Sequence, residues 1–212
     1  MEIITLSEQA YDVLEEMIVT LKLKPGTIIS EGRLSSQVGI GRTPIREALQ
    51  KLAHQHLVEA IPKKGIRVSE INIASHLALL ETRRVLERVI VSKAATRASH
   101  EQREKLKEVA DAMDAAARNR NLDEFIQIDH AFDELIGEAA QNPYATEACS
   151  PLRAHCRRFW YRYHKDEDLS EAARIHRELM EAISNQDDAS AVTGSDDLID
   201  YLEQLTRGVL YK

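Results

Sequence analysis

Apolar positions near the start of the chain follow a helical period. Ala10, Val13, Leu14, Met17, Ile18 and Leu21 fall on one face. Ser7 stands as their candidate N-cap, and Pro25-Gly26 ends the run. A short second helix is expected over 33–38, stopped by Gly39. Thr43 then offers an N-cap with Pro44 at the first helical position, opening a helix that reaches about His54. Two β-prone runs follow, 57–61 and 66–68, joined by Pro62-Lys63-Lys64-Gly65 as a hairpin turn. Three helices followed by a hairpin is the order of a winged helix-turn-helix.

Beyond Asn72 the strand signals disappear. The periodicity predicts about six helices, over 73–99, 101–119, 122–140, 143–164, 170–184 and 187–208. Their breaks fall at Asn121, Asn142-Pro143, the acidic stretch 165–168, and Asn185. Connections this short imply antiparallel neighbours in a bundle. The expected fold is mainly α, with a winged helix-turn-helix over 1–70 and an antiparallel all-helical bundle over 71–212. Pro151 lies inside a predicted helix, where proline removes a bond and favours a bend.

Composition adds bounds rather than detail. With 212 residues, 43% of them apolar and 30% charged, the chain can build one or two cores. No apolar run approaches the ~20 residues of a membrane span, and Met1 to Thr5 lacks a basic start or signal core. Cys149 and Cys156 stand roughly 10 Å apart along a helix axis, too far for a disulfide. A cytoplasmic chain with reduced thiols and no membrane partner is expected.

The net charge of −7 argues against nucleic acid until its distribution is read. Between Arg33 and Arg67 seven basic residues face two acidic ones, while from residue 71 onward 19 basic residues face 26 acidic ones. A basic module joined to an acidic one fits DNA binding by one part of the chain. On the third helix, Ile45, Ala48, Leu49 and Leu52 fall within about 100° and form a buried stripe. Arg42, Arg46 and Gln50 step along a neighbouring exposed face, with Thr43 beside them. Arginine can donate two bonds to guanine and glutamine can pair with adenine in the major groove. Hydroxyls and helix-start amides suit phosphates. Lys63 and Lys64, with Gly65, form a hairpin tip that suits a minor groove. An ordinary surface helix with solvated arginines is the alternative; the order of the elements around it favours DNA.

The run from Leu34 to Leu49, with Gly39-Ile40-Gly41-Arg42-Thr43-Pro44 and Arg46-Glu47-Ala48-Leu49 at its centre, resembles the signature of the GntR superfamily. Leu57-Val58 and Gly65 also match. The resemblance implies a winged helix-turn-helix regulator in which Arg42, Thr43, Arg46 and Gly65 contact DNA, with Arg33 and Lys64 as further candidates. It also implies a short inverted-repeat operator with a GT…AC core, and repression as the commoner output. Gly41 departs from the family, which usually has serine or threonine there, so one phosphate-contacting hydroxyl is missing.

The remainder, over 73–207, resembles the FadR-like effector domain of that superfamily, the FCD type. Arg83 to Glu87 fits its first-helix pattern, Asn142-Pro143 the turn before its fourth helix, and 176–183 its penultimate helix. Members enclose a pocket for small carboxylates, and many hold a divalent metal through an aspartate, a histidine four residues later and two further histidines. Here Asp129 takes the aspartate position, but Asp133 stands where the histidine is expected. His130 points about 100° away. His176 occupies the next position. The last histidine is missing; Asp197 is nearest, and an ungapped count lands on Leu198. Convergence of Asp129, Asp133, His176 and Asp197 would make an oxygen-rich site suited to Mn or Mg over Zn. The alternative is that the aspartates are merely polar and His176 a hydrogen-bonded pocket residue.

For the effector, a small organic acid, the resemblance offers Arg83, with Asp129 and His176, since a guanidinium grips a carboxylate bidentately. An ion pair of Arg83 with Glu87 or Glu81 is the alternative. The segment 157–164 holds the single tryptophan and three arginines; such helix ends usually pack a core, but Arg158 or Tyr161 is expected to reach the pocket. The chain is read as a homodimer joined through its C-terminal helices, because one recognition helix reads only a few base pairs. Two rivals are a metal-dependent enzyme on the bundle and an architectural DNA-binding protein. No HExxH, GxSxG or phosphate-cradling loop supports catalysis, so no enzyme is expected. An architectural protein has no use for a long acidic helical domain.

Overall fold

The computed structural model describes residues 4–165 and 168–210. It divides into two compact units, Met1–Asn72 and Ile73–Lys212. In the first, three helices, α1 (Leu6–Val19), α2 (Glu31–Val38) and α3 (Arg42–His54), accompany three short strands, β1 (Ile28–Ile29), β2 (Val58–Ile61) and β3 (Gly65–Val68). The strands form an antiparallel sheet in the order β1-β3-β2, with Ile28 opposite Arg67 and Val58 opposite Val68. Leu14, Ile18, Leu34, Ile45, Leu52 and Leu57 fill the core between helices and sheet. This is a winged helix-turn-helix.

The caps differ from expectation. Thr5, not Ser7, opens α1, in a capping box that pairs its side chain with Glu8 and Glu8 with the Thr5 backbone. Ser7 lies inside the first turn and its hydroxyl meets Glu47. Ser30 caps α2, which opens at Glu31, two residues before the expected start, and Gly39 ends it in the left-handed region at φ 77°. Thr43 is not the cap of α3. That position belongs to Gly41, which has no side chain to offer, so the first-turn amides of α3 have no side-chain cap.

In the hairpin, Lys64 N–H donates to the Ile61 carbonyl at 3.0 Å, and Lys63 sits at φ 62°. Proline at the second position and a positive φ at the third is the pattern of a type II turn. Gly65 has φ 114°, and a Cβ there would lie 2.8 Å from the Ile29 carbonyl oxygen. Glycine is therefore required twice over, by the backbone angle and by the neighbouring strand. β1 escaped the sequence reading because two residues carry no period.

The second unit is helical throughout its described residues: α4 (Ile73–Arg97), α5 (His100–Arg118), α6 (Leu122–Ala140), α7 (Pro143–Tyr163), α8 (Asp168–Ser184) and α9 (Asp188–Leu210). α4 runs through the centre, packed against α6, α7, α8 and α9, while α5 covers α6 and α8. Ser99 builds a capping box with Gln102. Asn142 caps α7 with Pro143 at its start, and α7 continues through Pro151. The break expected at 165–168 falls partly on Asp166 and Glu167, outside the described residues.

Two contacts tie α9 to its neighbours. Arg84 on α4 reaches Asp196, Asp200 and Glu203, and Arg88 reaches Asp196. A Cβ on Gly194 would lie 3.2 Å from Leu179 Cα, so α8 and α9 meet almost backbone to backbone there. Among the described residues no helix is long and apolar enough to cross a membrane. Cys149 and Cys156 are both free and buried.

Candidate functional site

On α3 the stripe of Ile45, Ala48, Leu49 and Leu52 is buried, and Arg42, Thr43, Arg46 and Gln50 are exposed. The buried stripe presses one face into the unit and leaves the polar face to solvent. Arg46 is engaged before any ligand arrives. Its Nε donates to both Glu31 oxygens at 3.1 Å and its Nη2 to Oε2 at 2.8 Å. Lys51, on another face, lies 3.8 Å from the Tyr11 ring centre and braces α3 on α1. In the hairpin, Arg67 pairs with Glu59 directly across the strands at 2.7 Å. Lys63 and Lys64 at the tip are exposed, as is Arg33 on α2.

The helical unit encloses a polar centre. Glu87 accepts from Arg83 Nε at 2.9 Å and from Arg153 at 2.8 and 2.6 Å, and Arg153 also donates to the Asp133 carbonyl. Asp133 takes Arg157 Nη1 at 2.5 Å, and the same nitrogen lies 3.9 Å from Asp129. Burial alone would raise the Glu87 pKa, but the Arg153 and Arg83 guanidiniums bring it down to about 2. Three buried arginines thus face three buried carboxylates.

His176 adds one more charge. Its Nδ1 lies 2.7 Å from the Ala172 carbonyl and its Nε2 2.9 Å from Asp129 Oδ1. Both partners are acceptors, an arrangement that favours the protonated ring. Burial opposes that charge, yet the Asp129 hydrogen bond and carboxylate hold the His176 pKa above its ordinary value. For Asp129 burial acts upward, and the His176 bond with the His176 and Arg157 charges holds the carboxyl well below the usual range. A raised folded-state pKa gives stability that is complete below ~6.5, the unfolded value, and is lost as pH rises through the folded value. Stability to urea is therefore expected to fall as pH rises above that window, and His176→Asn should remove that slope. A parallel slope in the variant would place the titrating group elsewhere.

Beside the polar centre lies a cavity of about 30 Å³, with Arg83, Asp129, Arg157 and His176 on one side and Phe125, Trp160, Leu198 and Leu202 on another. Tyr201 also lines it; its hydroxyl accepts from Trp160 Nε1 at 3.0 Å. Arg157 lines both this cavity and a more open cleft of about 60 Å³ beside His130, Asp133, Glu134 and Ser150. His130 thus faces away from Asp129, as helical geometry required.

Several expected site residues stand elsewhere. Arg158 is buried at 1% exposure but is absent from the cavity wall, because one residue along α7 turns its side chain about 100° from Arg157. Tyr161 donates to Asp123 at 2.8 Å, away from the cavity. Asp197 is exposed on α9, and the wall position is Leu198. Arg83 lines the cavity and also makes the alternative ion pair with Glu87. Arg153, Arg157, Trp160 and Tyr201 were missed as individual residues.

The two units match two family models in chain order: residues 6–68 match the gntR family of bacterial regulatory proteins, and residues 78–201 match the FCD domain. The chain is a GntR-family regulator with an FCD domain. It is 27% identical over 182 residues to the HTH-type transcriptional repressor RspR of Escherichia coli (strain K12), covering 85% of this chain and 80% of that protein. It is 26% identical over 187 residues to the HTH-type transcriptional regulator YdhC of Bacillus subtilis (strain 168), covering 86% and 83%. The fold is that of E. coli McbR/YncC, with TM-score 0.86, 19% identity, and coverage of 99% of this chain and 100% of the other. The regulator binds DNA and controls transcription, and its relatives are transcription regulators rather than enzymes.

The residues of this regulator do not fit the divalent metal held by many FCD domains. Among the described residues no group of three or more His, Cys, Asp or Glu side chains is placed to hold a metal ion. Of the four residues expected to converge, Asp129 and His176 meet, Asp133 is taken by arginines, and Asp197 lies outside. Leucine fills the fourth position.

Proposed function

We propose that the regulator is a repressor that binds an inverted-repeat operator as a homodimer and is controlled by a small carboxylate in the α4–α9 unit. Arg42, Thr43, Arg46 and Gln50 read or position DNA in the major groove. Arg33, Lys63, Lys64 and Gly65 serve the phosphates and the minor groove. RspR, named a repressor, supports the sign of the output. Val85 and Val89, one turn apart on α4 and 62% and 38% exposed, are apolar surface that a second copy would cover.

The observation that carries the effector reading is a cavity whose lining combines Arg83, Arg157 and His176 with Phe125, Trp160, Leu198 and Leu202. A carboxylate there would have Arg83, Arg157 and His176 as donors and the apolar side chains for its body. The cavity holds about two waters, so any organic acid must part its walls. A ligand changes DNA affinity only by as much as it prefers one conformation over another, and parting the walls supplies such a difference. Fluorescence anisotropy with DNA flanking the gene, alone and with an acid panel, tests the reading. The expected result is a dimer on two half-sites, released by at least one acid. Protection of a single half-site by a monomer overturns the first part, and indifference to every acid overturns the second.

A further inference from the structure

The first turn of α2 lies against the face of α3 that carries Arg42 and Arg46. Ser30 caps α2 through the Arg33 N–H, and Glu31 follows as the first helical residue, where a carboxylate suits the positive end of a helix. Its side chain turns to α3 and takes Arg46 Nε at 3.1 Å on each oxygen and Nη2 at 2.8 Å. Gly32 comes next. A Cβ there would lie 3.5 Å from Arg42 Nη2 and 3.8 Å from its Cζ, so the Arg42 guanidinium occupies space that a longer side chain would take. The hydrogen bond from Arg46, then the charges of Arg46 and Arg42, hold the Glu31 carboxyl below its ordinary value, although burial acts the other way. We propose that Glu31 is a specificity-determining residue of the DNA-reading face: it takes the Nε–Nη2 edge of Arg46, leaves the Nη1–Nη2 end for a guanine, and keeps the side chain from the phosphates. The proposal rests on the assignment of Arg46 to the major groove made above.

An arginine presents its N–H donors in one rigid plane. Among the described residues Arg46 makes its hydrogen bonds through Nε and Nη2, to Glu31. The donors left over include a parallel pair at the far end, one on each Nη, and that fork fits guanine O6 and N7. Adenine and thymine offer a single acceptor at the same edge, and cytosine offers a donor. An untethered arginine has another choice, because phosphates attract a guanidinium on every sequence. Glu31 acts against that choice in two ways. It fixes the rotamer, and it carries a negative charge that must either accompany Arg46 to the phosphate or lose its partner. The carboxylate thus lowers affinity for DNA in general and raises discrimination. Plain stabilisation is the competing role, but the two side chains are 33% and 59% exposed, and pairs at the surface add little.

The full-length protein is bound to a duplex library randomised over about three helical turns, and the retained pool is sequenced. Wild type is compared with Arg46→Ala, Glu31→Ala, Glu31→Gln and the double variant of Glu31→Ala with Arg46→Ala. The base pair whose preference Arg46→Ala abolishes is the one that Arg46 reads. At that base pair Glu31→Ala should lower the ratio of guanine to other bases about tenfold, with the other positions as in wild type. Glu31→Gln keeps an acceptor but no charge, and should lose less. On an unrelated duplex both Glu31 variants should bind several-fold more tightly at low salt, and the slope of log affinity on log salt should steepen by about one. With Arg46 already alanine, Glu31→Ala should change the preference at that base pair no further, as coupled residues require. Wild-type preference in Glu31→Ala, where Arg46→Ala has lost it, overturns the proposal. An equal loss at every position also overturns it, and makes Glu31 a structural residue; circular dichroism and the milder Glu31→Gln keep that outcome readable. Tighter operator binding with the preference intact overturns it too, and makes Glu31 a simple competitor of DNA. If Arg46→Ala changes no base preference, the assignment of Arg46 itself fails, and the role of Glu31 falls with it.

Discussion

Arg46→Ala is expected to weaken operator binding by about 1–3 kcal/mol, roughly 5- to 150-fold, and to relax preference at one base pair in each half-site. The side chain sits on the exposed face of α3, where the buried stripe holds the helix by its opposite side. Glu31 grips the guanidinium with three short contacts in the free protein. The pair is at the surface, so it adds little to stability, but it limits the rotamers of Arg46 before DNA arrives. Lys63→Ala should behave differently. It removes one exposed cation from the wing, weakens all sequences alike and lowers the slope of log affinity on log salt by about one. Anisotropy titrations over a salt series on the operator and on a scrambled duplex measure both effects. Unchanged affinity in Arg46→Ala would mean that another face reads the bases.

Glu87→Ala should give the largest loss of stability, about 3–5 kcal/mol. Glu87 is 4% exposed and accepts from two guanidiniums that are themselves buried. Its removal leaves Arg83 and Arg153 buried with one shared partner fewer. Glu87→Gln keeps the shape and one acceptor, and should lose less. Urea unfolding followed by far-ultraviolet circular dichroism measures both variants. The pH dependence has a definite sign. A folded pKa near 2 lies below the ~4.3 of an unfolded glutamate, so the contribution is present above that value and lost as pH falls through the folded one. Glu87→Ala should therefore flatten the acid limb of the stability profile. Wild-type stability in the alanine variant would mean that the three-residue cluster contributes nothing net.

Much of this was legible in the sequence, and the misses have physical causes. The helices of the bundle were readable because their apolar stripes are long and their turns carry Asn, Pro and Ser. The caps were misread because Ser7 and Thr43 are good capping residues one or two positions inside the true ends. Only the backbone angles of Thr5 and Gly41 settle which residue comes first. In the polar centre, Asp129 and His176 came from resemblance, but their partners had a local signal that was overlooked. Asp129 and Asp133 are one turn apart on α6, and Arg153 and Arg157 one turn apart on α7. Folding two consecutive helices back on one another sets Asp129 beside Arg157 and Asp133 beside Arg153. Attention to the aromatic stretch after Arg157 drew the reading to Arg158 and Tyr161, which point elsewhere. Asp197 was chosen for its chemistry, but helical phase put Leu198 in the wall.

Gly194 does not line the cavity, yet it sets how closely two of the helices around it approach. Its bare backbone lets α9 lie against Leu179 on α8. One turn along each helix from that contact, His176 and Leu198 line the cavity. The bore is therefore gauged by an interhelical spacer, not by the side chains that would touch a guest. Enlarging the residue at this one position would act like a shim, easing the walls apart while leaving the charged anchor untouched.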